Sequence, residues 1–178
     1  MDLYAGLPFW IIKNALYNYH NPLEHDYEID VAIIGSGITG ALVVHELCEY
    51  GIKCAVFDKR MVSNGSTVAS TSQLQYEIDV PLHKLIEDIG ESRAVKAYQA
   101  SLQSITDIEQ MFKQTGVVGN FKRVSTCYLA SDQEGLRSIN AEYEVRVKHQ
   151  LPVTFLDRDA LKKAYRIVGP GALYNNTS

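Results

Sequence analysis

The sequence is poor in the residues that build disulfide-stapled folds and metal centres. Its three cysteines, Cys48, Cys54 and Cys127, are odd in number and show no C-x-x-C spacing. They read as reduced thiols of a cytoplasmic protein, with Cys48 and Cys54 beside the first strand–helix unit. The five histidines, His20, His25, His45, His83 and His149, are scattered without H-x-x-x-H or mixed Cys/His spacing, so no zinc or iron site is expected. Neither G-x-S-x-G nor G-K-[ST] occurs, which removes a serine-nucleophile turn and a mononucleotide phosphate loop. No apolar run approaches the roughly 20 residues that span a bilayer. Residues 7–12 are too short even for a signal peptide, and Asp2 stands where a basic start belongs. The net charge of −4 lacks the basic excess of a nucleic-acid partner. Acidic neighbours such as Glu87 and Asp88 point apart on a helix and read as solvated surface. Any hydride chemistry therefore has to come from a bound cofactor.

What is present is an ordinary globular composition. With 178 residues, 46% of them hydrophobic, the chain suits one domain, or one plus part of another, and can bury a core. Its most informative stretch is residues 30–40, D-V-A-I-I-G-S-G-I-T-G. Val31 to Ile34 reads as a short buried strand, and Ala41 to Tyr50 as a helix that Gly51 ends. Between them Gly35, Gly37 and Gly40 stand at the G-x-G-x-x-G spacing. Gly35 permits the tight bend, Gly37 lets backbone approach a pyrophosphate, and Gly40 lets the helix pack closely on the strand. The first amides of the helix, at the positive end of its dipole, suit phosphates. Glycine spacing alone also occurs in turns with no ligand, so context decides. Lys53 to Phe57 supplies a second apolar strand, and Asp58 closes it 18 positions after Gly40, near where an acid binds ribose hydroxyls.

Residues 1–29 form an extension, with a helix over residues 8–17. Its aromatics (Tyr4, Phe9, Trp10, Tyr17, Tyr19) could dock on the protein's own body, on a partner or on a membrane surface, and ordinary aromatic burial favours the first. Residues 60–75 are dense in small hydroxylated side chains, either a plain loop or donors that reach a diphosphate and a ring system. Helices are expected over residues 81–89 and 92–114, the second N-capped by Ser92 and stopped by Gly116. The stripe Val95, Tyr98, Leu102, Ile105, Ile108 and Phe112 marks the core face of that helix. A strand is expected over 123–131, then a helix from Asp132 to Gln150 whose charged residues mostly face solvent. Pro152 breaks the chain, a strand follows over 153–156, and Asp157 caps a helix over 159–165. After Asp58 no further run of the buried parallel type appears, so the nucleotide sheet looks unfinished.

These residues resemble the FAD-dependent oxidoreductases that include D-amino-acid oxidase, glycine oxidase, sarcosine oxidase and glycerol-3-phosphate dehydrogenase. The resemblance rests on residues 30–40 with Leu47 and Gly51, on the acidic end of the second strand at Asp58, and on the small-residue segment 65–74. It covers most of residues 29–178. It implies an α/β fold: a Rossmann-like FAD-binding βαβ unit, a helical excursion and part of an α+β substrate domain. The implied domains are an extension (1–29), the N-terminal part of the FAD domain (30–122) and the start of a substrate domain (123–178).

By the same resemblance Gly35, Ser36, Gly37, Ile38, Thr39 and Gly40 would wrap the diphosphate of a non-covalent FAD. Asp58 would take the ribose hydroxyls, with Lys59 and Arg60 beside the adenine. Ser66, Thr67, Ser70, Thr71, Gln73 and Leu74 would line the diphosphate, ribityl chain or flavin. Two departures are Val44, where the family has Ala or Gly, and Asp58, where Glu is commoner. No His or Cys within residues 60–75 offers a covalent anchor. The implied activity is oxidation of a C–N bond in an amino acid or amine, a small-molecule substrate, with catalytic residues beyond Ser178. The expected status is therefore an N-terminal fragment, inactive alone. A nicotinamide-dependent dehydrogenase and a non-catalytic flavin-fold module are the alternatives. Asp58 permits the first, and the aromatic leader alone supports the second. Substrate identity and oligomeric state are not legible.

Overall fold

Three of the four residues in Val31–Ile34 are β-branched, and this segment forms β1, paired in parallel with β2, Cys54–Phe57. The computed structural model describes residues 6–14, 20–116 and 121–178, in two units that divide between Ser72 and Gln73. In the first unit, α2 (Ile38–Glu49) connects the two strands and packs on both. It starts three residues earlier than expected, inside the glycine motif itself. Its end is as expected: Gly51, at φ +69°, donates to Cys48 O at 2.9 Å, and Ile52 to Leu47 O at 3.0 Å.

One expectation fails for β1, which is not a buried strand. Only Ile33 is buried, while Ile34 is 82% exposed. Strand side chains alternate, so Ile33 faces α2 and its neighbours face the side of the two-stranded sheet that α2 does not cover. The leader forms α1, Phe9–Asn14. The remainder of the helix expected over 8–17, with Tyr4, Tyr17 and Tyr19, lies outside the described residues.

The second unit sets helices against an antiparallel sheet of order β3-β5-β4, formed by Thr126–Leu129, Gly171–Asn175 and Thr154–Asp157. β5 is central and almost wholly buried, and β3 is shorter than the expected 123–131. Helices α3 (Leu82–Ile89) and α4 (Glu91–Thr115) pack on each other around Tyr76, Leu82, Ala94, Tyr98 and Ile105. Ser92 is not the cap of α4. The helix starts directly from Gly90, whose φ of +86° only glycine adopts readily, leaving Ser92 inside the first turn. Gly116 ends α4 in the left-handed conformation. Asp132 and Asp157 cap α5 (Gln133–Lys148) and α6 (Arg158–Tyr165), accepting from Gly135 and Ala160 at 2.7 and 2.8 Å.

The expectation that the charges of α5 mostly face solvent breaks down at Glu142 and Arg146, which are 2% and 4% exposed. Glu142 Oε1 accepts from Leu82 N at 3.0 Å and Arg146 Nε at 2.7 Å. Its Oε2 accepts from His83 N at 3.0 Å and lies 2.8 Å from His83 Nδ1. The carboxylate thus caps α3, whose own N-cap, Pro81, has no side-chain bond to offer. Arg146 Nη1 reaches Glu77 Oε1 at 3.0 Å and Tyr76 Oη at 3.1 Å, and its guanidinium lies over the rings of Tyr76 and Tyr98. Burial raises the Glu142 pKa, but the His83 and Leu82 bonds and the Arg146 charge outweigh it and hold the group below its ordinary value.

Candidate functional site

The glycine turn between β1 and α2 is the focus of the first unit. Gly35 sits at φ +106° and donates to Phe57 O at 2.7 Å, which ties the turn to the end of β2. A Cβ on Gly40 would lie 2.0 Å from the carbonyl oxygen of Gly35, so the start of α2 folds back on the turn at a distance only glycine allows. The first bond of α2 runs from Ala41 N to Gly37 O at 3.0 Å, and the amides of Thr39 and Gly40 precede it in the first turn.

Two other segments converge here. Asp58 Oδ2 accepts from both Ser36 N and Ser36 Oγ at 2.7 Å, while its Oδ1 accepts from Arg60 N at 2.9 Å. The backbone bonds from Ser36 and Arg60 lead the causes that hold the Asp58 carboxyl down at about 2. A carboxylate has about four lone-pair sites. Three are occupied, which leaves capacity for one more hydroxyl donor beyond the turn.

The hydroxyl-rich segment arrives from the other side. Thr67–Ala69 forms a single 3-10 turn with Ser66 and Ser70 at its ends and Val68 buried beneath it. Thr67 Oγ1 accepts from Ile38 N at 3.0 Å, on the first residue of α2, and a Cβ on Gly37 would stand 3.0 Å from that hydroxyl. Ser63 N donates to Ser36 O at 3.1 Å. A hydroxyl that already accepts keeps its own proton free to donate. The surroundings fit a diphosphate-bearing dinucleotide: a turn with glycine at its tightest points, amides in a helix's first turn, a hydroxyl on that helix start, and an ionised acid one residue past β2.

The structure therefore brings together residues 35–40, Asp58 to Arg60 and Ser66 to Ser70. Lys59 and Arg60 follow Asp58 on an exposed stretch, and Thr71 is exposed just past the 3-10 turn. Gln73 and Leu74 belong to the second unit, where Leu74 packs on the Tyr76 and Tyr98 core. Two features escape sequence reasoning. Ser36, an unspecified position of the motif, is the residue that fastens Asp58. Trp10, of the leader, donates from Nε1 to Ser70 O at 2.9 Å. The only prior signal for the buried pair on α5 was its i,i+4 spacing, which equally describes a surface pair.

A strand–glycine turn–helix–strand unit with an acid after the second strand defines a dinucleotide-binding α/β protein. The sequence profile of the FAD dependent oxidoreductase family matches residues 30–178. The chain belongs to that family, whose cofactor is FAD. It is similar to YhfW of Bacillus subtilis, which carries a Rieske 2Fe-2S iron-sulfur name, at 25% identity over 79% of this chain and 26% of YhfW. Its fold is similar to glycine oxidase from Geobacillus kaustophilus, with a TM-score of 0.65 and 22% identity over 84% of this chain and 39% of that one. L-amino acid deaminase from Proteus vulgaris gives a TM-score of 0.65 at 14% identity, over 90% of this chain and 36% of the deaminase. The chain thus spans about a quarter of that curated relative and under two fifths of those two enzymes. Among the described residues no helix is long and apolar enough to cross a membrane.

Proposed function

We propose that residues 30–72 hold the diphosphate and adenosine ribose of a non-covalent FAD in a cytoplasmic oxidoreductase that acts on a C–N bond of an amino acid or amine. Residues 30–122 are then the N-terminal part of the FAD domain, and 123–178 the start of the substrate domain. The observation that carries this reading is the seating of Thr67 on the first amide of α2, beside the Gly35–Gly40 close approach. It sets the Thr67 hydroxyl at the start of α2, beside the amides of that helix's first turn.

In this assignment the amides of Thr39 and Gly40, with the hydroxyl of Thr67, face phosphate oxygens. Asp58 accepts a ribose hydroxyl, and Ser36 keeps that carboxylate oriented. When bound, FAD supplies the acceptor for a hydride from the substrate carbon. Names support the substrate class: glycine oxidase and L-amino acid deaminase are named for amino acids.

The test is purification of the full polypeptide that carries this sequence. It should retain or take up FAD, release it intact on denaturation, and lose flavin absorbance anaerobically with at least one member of an amino-acid and amine panel. Failure to take up FAD refutes the cofactor assignment. FAD uptake with no bleaching by any member refutes the substrate class and favours a binding module.

A further inference from the structure

Helix α1 lies ahead of residues 30–178, the span that the family profile matches, so membership of the family gives it no task. Its Trp10 is the single tryptophan of the sequence. The indole Nε1–H donates to the backbone oxygen of Ser70 at 2.9 Å, and α1 packs against the 3-10 turn that Ser70 closes. Ser70 leaves that turn in an extended conformation, so its carbonyl lies outside the turn's own bonds, from Ala69 N to Ser66 O and from Ser70 N to Thr67 O. The indole is itself held: the Phe9 ring meets it edge-on at 5.0 Å, and the Lys13 ammonium lies 5.3 Å from its centroid.

The turn is consequently fastened at two points. At one end Thr67 Oγ1 takes the Ile38 amide, and at the other Ser70 O takes the Trp10 indole. A short hydroxyl-rich turn has little apolar area of its own to fix it, and Val68 is the one residue from Thr67 to Ser70 that is buried. Directional bonds at its two ends therefore set where the Thr67 hydroxyl stands. Donors held in place before a ligand arrives bind it more tightly than donors ordered on arrival.

We infer that Trp10 is a positioning residue for the cofactor cradle: through Ser70 it holds the 66–70 turn against the start of α2, so the leader helps to build the diphosphate site. This rests on the FAD assignment above. A role confined to packing makes a different demand, since a phenylalanine satisfies packing and cannot donate the bond.

The experiment compares the full polypeptide with its Trp10→Phe and Trp10→Ala variants. Hydrogen exchange is followed at the amides of Ile38 and Ser70 without FAD, and FAD affinity by flavin fluorescence. Loss of one net hydrogen bond corresponds to a change of about three- to tenfold. Trp10→Phe should speed exchange at both amides by about that factor and weaken FAD binding similarly, without rescuing Trp10→Ala. If the wild type binds FAD and Trp10→Phe matches it in both exchange and affinity, the inference is overturned and the FAD reading stands. A wild type that takes up no FAD overturns the FAD reading, and this inference with it.

Discussion

Replacing Gly40 by alanine adds one methyl group at the tightest point of the site. The new Cβ would lie 2.0 Å from the carbonyl oxygen of Gly35, and no real contact of this kind is closer than 3.0 Å, so the two must part by at least 1 Å. The obstacle is backbone, which cannot swing aside as a side chain can. Gly35 is also tied to Phe57 O at 2.7 Å, so moving it disturbs the end of β2. Overpacking of this severity costs about 3 kcal/mol. Alanine returns about 1 kcal/mol through its better helix propensity. The net loss of about 2 kcal/mol corresponds to a fall of about 6 °C in melting temperature for a chain of this length. Urea unfolding of these 178 residues followed by Trp10 emission isolates the first unit, because that unit holds their only tryptophan. FAD affinity should fall by at least about tenfold, since the shifted turn no longer presents its amides together. Gly65→Ala is the control: its Cβ would meet Arg60 Nη1 at an ordinary 3.9 Å. A Gly40→Ala protein within about 0.5 kcal/mol of the wild type, binding FAD as tightly, would refute the claim that close approach at Gly40 shapes this site.

Three further outcomes follow from named groups. Glu142→Ala should destabilise the second unit by about 3 kcal/mol, because it takes one of two carboxylate partners from the buried Arg146, leaving Glu77, and uncaps α3; chemical unfolding measures this, and a loss under 1 kcal/mol would contradict the network. Glu142 and Asp58 both have carboxyl pKa values lowered in the folded state, from ordinary values of 4.5 and 3.8. Their stabilisation is therefore complete above those values and lost as pH falls below them, for Asp58 through about 2. Stability measured from pH 6 to pH 2 should decline, and less steeply in Glu142→Gln. Asp58→Asn keeps the shape but removes the charge that Ser36 bonds and that the FAD assignment offers to a ribose hydroxyl. FAD affinity, titrated by fluorescence, should drop roughly tenfold, in keeping with bonds to a charged acceptor.

The candidate site was legible wherever its chemistry is local. Glycine at fixed spacing after a β-branched strand, and an acid after the next strand, are demands of backbone geometry that only particular residue types meet, so residues 30–58 announce their fold. Helix stops at Gly51 and Gly116 and caps at Asp132 and Asp157 were legible for the same reason, since each is decided within a turn of chain. Ser92 is a good capping residue, but Gly90, two residues ahead of it, takes the cap through its positive φ and starts the helix at Glu91.

The nucleotide unit, the likeness to the FAD-dependent oxidoreductases and the helical character of the long central segment are thus legible from residue types and spacing. Which polar groups meet across large separations in the chain is set by folding: Ser36 with Asp58, Thr67 with Ile38, Trp10 with Ser70, and Glu142 with Leu82 and His83. A carboxylate or an indole looks the same in sequence whether it faces water or a partner. At Glu142 burial selects the partner, and the cost of leaving a buried polar group unpaired makes the pairing obligatory; the Thr67 and Trp10 bonds lie exposed, where the packing of neighbouring segments brings the partners side by side.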